Sequence, residues 1–193
     1  GAFDAAAIPA IMQRITVCSL ADAARGLDGC EIVFEVVPEV LDAKREAFAL
    51  FDTHADPGAI LASTTSTILS TELAGFTQRP ENFLNAHWLN PAFLMPLIEL
   101  SPTDATDPQT LARLREVLEA MGKVPIVCKA SPGYIVPRIQ ALAMNEAARL
   151  VEEGVASAED VDKAVTYGFG LRFGVLGLLE FIDWGGGDIL YYA

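Results

Sequence analysis

E-I-V-F-E-V-V, residues 31–37, is a near-continuous apolar run of strand length, closed by Pro38 and Glu39. Runs of this kind mark strands buried on both faces, as in a parallel sheet, whereas strands with one wet face alternate. Working outward, V-L-D-A-K-R-E-A-F-A-L-F-D carries Leu41, Phe48 and Phe51 between charges, an amphipathic helix. The turn A-D-P-G leads to a second buried strand, A-I-L-A-S (59–63). T-T-S-T follows, then S-T-E-L, a short helix with Ser70 as its cap. N-F-L-N-A-H-W-L (82–89) and P-L-I-E-L-S-P (96–102) predict two more strands, and K-V-P-I-V-C-K (123–129) a last one. Between them D-P-Q-T-L-A-R-L-R-E-V-L-E-A-M-G is a helix with Pro108 near its start and Gly122 after its end. Strands alternating with helices of this length predict an α/β fold with a mostly parallel sheet.

Upstream, I-T-V-C-S-L (15–20) reads as a short β-rich run, A-D-A-A-R-G-L-D-G as a helical turn ending in glycine, and residues 1–14 as weakly helical. Downstream the pattern changes at Ser131-Pro132-Gly133, after which no strand is evident. A long helix follows, with Ile135, Ile139, Leu142, Leu150 and Val151 expected inside. Ser157 and Asp160 resemble a capping box. G-F-G-L-R-F-G (168–174) reads as a glycine-rich connection to a third helical segment. The reading is therefore two domains, 1–129 α/β and 130–193 all-α.

The chain of 193 residues is 52% apolar and carries a formal charge of −13. That charge excludes nucleic acid and anionic membrane surfaces as partners, and no unbroken apolar stretch reaches the ~18 residues of a membrane span. Cys18, Cys30 and Cys128 have no C-x-x-C spacing, so reduced, buried thiols are expected. With only His54 and His87, no zinc site is expected. A soluble cytoplasmic protein fits these features.

The chemistry gathers in A-H-W-L-N-P-A-F-L-M-P-L-I-E-L (86–100). Glu99 stands in an apolar segment and needs a partner if it faces a core. His87 can take a proton while a carboxylate holds the resulting cation. In open parallel sheets ligands collect beyond the carboxyl ends of strands. Glu39, Ser66, His87 and Asn90 all follow or end a predicted strand. Each has a plainer alternative: an edge-strand glutamate and a core histidine, a capping serine, a solvated helix face for Glu39 and Lys44, and a turn asparagine.

Several segments in order, E-V-V-P-E, I-L-A-S-T-T-S, H-W-L-N-P, M-P-L-I-E-L, S-P-G-Y-I-V and N-E-A-A-R-L-V-E-E-G-V-A-S-A-E-D-V-D, resemble the 3-hydroxyacyl-CoA dehydrogenase family from about Ile15 onward. Members oxidise the 3-hydroxyl of an acyl-CoA, such as 3-hydroxybutyryl-CoA, by hydride transfer to NAD. The resemblance implies a Rossmann-type domain followed by a helical substrate and dimerisation domain, and a role in fatty acid β-oxidation. It implies His87 as catalytic base, Glu99 as its partner, Ser66 as the serine on the substrate oxygen and Asn90 as the asparagine of H-x-x-N-P. Ser66 and Asn90 also border the cofactor, and Glu39 and Lys44 match residues on its nicotinamide side. A homodimer is implied for the full-length protein.

Three departures from the family pattern stand out. The glycine-rich βα turn for the NAD pyrophosphate and the acid for the adenosine ribose are absent, as are the family's last helices. An internal fragment, unable to hold NAD tightly, is expected. Pro137 stands where the family has an active-site asparagine, about a turn into the predicted helix. Finally, G-F-G-L-R-F-G-V-L-G-L-L-E is more similar to the branch containing L-gulonate 3-dehydrogenase and carnitine dehydrogenase, which act on free 3-hydroxy acids. There Arg172 could clamp a carboxylate, its plainer alternative being a surface arginine. A non-catalytic family member is the third reading.

Overall fold

Strand β1 (Ile32–Glu35) starts a five-stranded sheet in which spatial order follows chain order: β1, β2 (Ile60–Ser63), β3 (Phe83–Trp88), β4 (Leu97–Pro102) and β5 (Val124–Val127). The structure is a computed structural model and describes residues 5–186 and Tyr191. β1, β2 and β3 run parallel, β4 turns back antiparallel to β3, and β5 is parallel to β4. The sheet is the mostly parallel one expected, with one reversal.

Helices α1 (Ile8–Met12) and α2 (Ala23–Leu27) precede the sheet. The strand expected at 15–20 does not form: residues 15–19 pair with no described strand, Leu20–Asp22 is a 3-10 turn, and Val17 and Leu20 are exposed. β propensity without a ladder partner and a surface to pack on does not make a strand. Cys18 is likewise exposed, against the expectation of a buried thiol, while Cys30 and Cys128 are half-buried.

Helix α3 (Leu41–His54) buries Lys44, Phe48 and Phe51 against one sheet face. Arg79 ties off its end, the guanidinium donating to Phe51 O in the last turn at 2.8 Å and to Asp56 O just beyond the helix at 2.7 Å. Helix α4 (Ser70–Leu73) begins at Ser70, and Leu69 holds the cap position. Ser70 does not cap; its hydroxyl is buried against that of Ser101 at 3.2 Å. Helix α5 (Pro108–Ala120) is capped by Asp107, which accepts from Gln109 N at 2.7 Å, and packs Leu114 and Leu118 on the opposite face. Gly122, at φ +77, supplies the left-handed turn into β5.

The chain divides into two compact units, 1–137 and 138–193. α6 (Val136–Glu152) enters the second, followed by α7 (Ala158–Ala164), a π-helical turn (Val165–Gly170), α8 (Leu171–Phe173) and α9 (Leu178–Gly185). Ser157 caps α7 by accepting from Asp160 N at 3.1 Å. The glycine-rich stretch from 168 is helical rather than a connection, and at Gly170 a Cβ would lie 2.7 Å from Val165 O, so the wider turn needs glycine there. Of the residues expected inside, Ile135, Ile139, Leu142 and Val151 are exposed and Leu150 is half-buried, and no residue of α6 is fully buried: most of its apolar stripe is uncovered among the described residues. Among the described residues no single helix is long and apolar enough to cross a membrane.

Candidate active site

Strand alternation sorts the sheet into two faces with different chemistry. Ile60, Ala62, Leu84, Ala86, Ile98 and Leu100 pack on Leu114 and Leu118 of α5. On the other face Val33, Leu61 and Phe83 meet Phe48, Phe51 and Leu73. One step further along the same strands that face becomes polar. Register places Glu35, Ser63, Asn85 and Ser101 side by side across four strands, with His87 opposite Glu99 beyond them. All six are buried. The polar half lies at the carboxyl ends of β1 to β3, the side on which open α/β sheets bind ligands.

The twelve-residue spacing of His87 and Glu99 now has a cause. β3 and β4 form an antiparallel pair whose register sets the two directly across from each other, and His87 Nδ1 lies 2.8 Å from Glu99 Oε2. The other carboxylate oxygen accepts from Ile135 N at 2.9 Å and Val136 N at 2.8 Å. These amides open α6, so the positive end of its dipole faces the acid. An ionised carboxylate only accepts, so His87 holds its proton on Nδ1 and presents the Nε2 lone pair. That nitrogen is 3.0 Å from Ser66 Oγ. Tyr134, 4% exposed, stacks on the imidazole at 5.6 Å between centroids and 26° between planes.

Ser66 is held by the loop after β2. Glu39 accepts from Ser66 N at 3.2 Å, from Thr67 N at 3.0 Å, from the Thr67 hydroxyl at 2.9 Å and from the Thr65 hydroxyl. Burial works against ionisation of Glu39, but the bonds from Thr65 and Thr67 and the Lys44 ammonium outweigh it and lower its pKa to about 2. Lys44 is buried, 1% exposed, with its Nζ 3.0 Å from both oxygens of Glu35 and 3.1 Å from Glu39 Oε2. Its ammonium points inward, beneath Glu39. Glu35 also accepts from Ser63 Oγ at 2.6 Å and Val37 N at 2.8 Å.

A cleft of about 450 Å³ opens beside Ser66, lined by Phe34, Val36, Thr64, Trp88, Asn90 and Ala92. Asn90 is exposed at its rim and makes no hydrogen bond among the described residues. Pro137 is the second residue of α6, not a turn in, and at that position its missing N–H leaves no helical bond unmade. Arg172 belongs to the second unit, where its guanidinium lies 4.2 Å from the centre of the Phe181 ring. The site also includes Glu35, Thr65, Asn85 and Tyr134, residues whose roles depend on contacts that lie far apart in the sequence. Only Glu35, a carboxylate inside the apolar run 31–37, carried a signal of its own. Among the described residues no three His, Cys, Asp or Glu are placed to hold a metal.

Residues 1–131 match the family model described as 3-hydroxyacyl-CoA dehydrogenase, NAD binding domain, and residues 133–192 match that of its C-terminal domain. The chain belongs to the 3-hydroxyacyl-CoA dehydrogenase family. NAD is accordingly its cofactor. The 5-formyl-3-hydroxy-2-methylpyridine 4-carboxylate 5-dehydrogenase of Mesorhizobium japonicum is 34% identical over 169 residues, 87% of this chain and 55% of the relative. A solved structure of an enzyme with that activity superposes with a TM-score of 0.83 at 34% identity, covering 88% of this chain and 55% of the other. Human mitochondrial hydroxyacyl-coenzyme A dehydrogenase is 36% identical over 167 residues, 86% of this chain and 53% of the relative. The structure of (S)-3-hydroxybutyryl-CoA dehydrogenase PaaH1 from Ralstonia eutropha gives a TM-score of 0.76 at 34% identity, covering 86% and 58%. The chain thus spans about half the length of these dehydrogenases.

The cleft fits the nicotinamide end of NAD: Phe34, Val36 and Trp88 offer apolar walls for a flat ring, and Thr64, Ser66 and Asn90 offer polar groups for its carboxamide. The sequence holds no glycine-rich βα turn for the pyrophosphate.

Proposed function

We propose that this dehydrogenase oxidises the 3-hydroxyl of a 3-hydroxyacyl-CoA to the 3-oxo compound, with His87 as general base. The observation that carries the reading is the relay of contacts through His87, Ser66 Oγ to Nε2 at 3.0 Å and Nδ1 to Glu99 Oε2 at 2.8 Å, beside an open cleft. Ser66 Oγ orients the substrate hydroxyl, and His87 Nε2 accepts its proton as the C–H bond breaks. Glu99, fixed on its far side by two amides, stabilises the imidazolium that forms. NAD, when bound, supplies the hydride acceptor. Glu39 and buried Lys44 hold the loop that carries Ser66 at the edge of the ring site, and Asn90 lies at the same edge. Changing His87 to alanine in the intact protein is expected to lower kcat for 3-hydroxybutyryl-CoA by about 10²–10⁴. A loss under tenfold refutes the assignment.

A free 3-hydroxy acid is the second reading. It is favoured by the guanidinium of Arg172, which lies in a cleft with Val175, Leu176, Phe181 and Trp184 and pairs with no carboxylate among the described residues. A relative named for a pyridine carboxylate adds support. If Arg172→Ala leaves KM for free 3-hydroxybutyrate unchanged, this reading fails. A cytoplasmic homodimer working in fatty acid oxidation belongs to the first reading, and the exposed apolar stripe of α6 supports the dimer.

A further inference from the structure

Residues 134–136 touch His87 and Glu99 and reach the loop that carries Ser66. The segment leaves β5 through Ser131-Pro132 and makes a tight turn in which Tyr134 N donates to Ser131 O at 2.9 Å. Gly133 and Tyr134 both have positive φ, +74 and +44. Glycine is at ease there, whereas tyrosine is not, since its Cβ crowds the following carbonyl. A chain that needed only the turn would be better served by glycine or asparagine at 134. The side chain therefore has a use that outweighs the strained backbone.

That use is visible in two contacts. The ring lies on the His87 imidazole. The hydroxyl donates to Ile68 O at 3.2 Å, two residues beyond Ser66, and so ties down the loop that aims Ser66 at His87. Burial first, and then the charges of Cys128, Glu39 and Glu99, raise the Tyr134 pKa, which keeps the hydroxyl a donor. The left-handed turn also points the next two amides at Glu99 Oε1.

We propose that Tyr134 is a positioning residue for the His87–Glu99 pair, its ring fixing the plane of the imidazole so that Nε2 stays aimed at Ser66. The role rests on the reading of His87 as base, but ring orientation is measurable without catalysis. Glu99 restrains the Nδ1 corner and Ser66 the Nε2 corner, but both act at the ring edge, and the Tyr134 ring is what meets the imidazole face.

The experiment compares Tyr134→Phe, Tyr134→Leu and Tyr134→Gly with the parent. Tyr134→Gly removes the ring at a position where glycine relieves the backbone, so it serves if the leucine variant does not fold. Long-range ¹H–¹⁵N spectra of the His87 ring, kcat and KM are all read on the intact protein. Expected is one His87 tautomer with protonated Nδ1 in the parent and in Tyr134→Phe. The ring-less variants should show mixed or exchange-broadened ring signals, with kcat down about 10- to 10²-fold and KM within twofold. Restoration of the parent spectrum by phenylalanine identifies the ring as the agent. Unchanged His87 signals in a folded ring-less variant overturn the proposal whatever kcat does. Altered signals with activity that also survives His87→Ala would uphold the positioning role and refute the base.

Discussion

Replacing Glu99 with glutamine keeps the shape of the side chain and turns one acceptor into an NH₂ group, so the outcome depends on which way the amide settles. One side faces two donors, Ile135 N and Val136 N; the other faces His87 Nδ1. With the NH₂ toward the backbone, two sheltered N–H groups lose their acceptor, at about 1 kcal/mol or more each. With the oxygen there, only the histidine is affected, and a neutral imidazole answers by moving its proton from Nδ1 to Nε2. The second arrangement is favoured by at least one orphaned donor, about fivefold or more in population. His87 then presents N–H where it should present a lone pair. In serine-protease triads the same acid-to-amide change costs about 10⁴ in kcat by fixing the wrong tautomer. A loss of that order is expected for Glu99→Gln, with a stability change of about 1–2 kcal/mol. Steady-state kinetics, the ¹⁵N signals of His87 and urea unfolding read the three quantities. A folded variant whose His87 keeps its proton on Nδ1, or whose kcat stays within tenfold, refutes the reasoning.

Two more perturbations test the support beneath Ser66. Lys44→Met leaves Glu35 buried without its cation and is expected to destabilise the chain by about 3–5 kcal/mol in urea unfolding; a change under about 1 kcal/mol would show that the buried pair contributes little. Glu39, with a folded pKa of about 2 against an ordinary 4.5, contributes stability that is complete above pH 4.5 and is lost as pH falls toward 2, because the unfolded chain binds the proton first. The drop in urea midpoint across that window should be shallower in Glu39→Gln, and an equal slope in the two proteins would remove Glu39 from the account.

β2 was legible because its burial on both faces writes itself as an apolar run, and β1 shows the same pattern around Glu35. The reversal between β3 and β4 was not, since the N-P-A-F-L-M-P link between them carries no hairpin signature such as Asn-Gly. Glu99 announced itself as a carboxylate among apolar residues, and its pairing with His87 could be guessed. The clamp on its second oxygen could not, because backbone amides leave no mark in a sequence. Lys44 reads as a surface charge on an amphipathic helix; its burial is decided by Glu35 and Glu39, which lie outside that helix. The segment 15–20 misleads for the opposite reason: the residues favour extension, and nothing beside them completes a ladder. The exposed stripe of α6 has the pattern of a buried helix because periodicity reports that a face is apolar, not what covers it.

One sheet face is apolar over its first half, at Val33, Leu61 and Phe83, and polar over its second, at Glu35, Ser63, Asn85, His87, Glu99 and Ser101. The division makes the domain a chassis with an exchangeable end. Side chains on the loops at the strand tips can alter without disturbing Phe83 and the helix phenylalanines packed behind them. Selection for a new substrate can therefore work on the tips while the packing that keeps the strands in register is inherited unchanged. Solved dehydrogenases named for substrates as unlike as 3-hydroxybutyryl-CoA and a pyridine carboxylic acid superpose on this chain, and in this chain the divided sheet is a physical means to such variety.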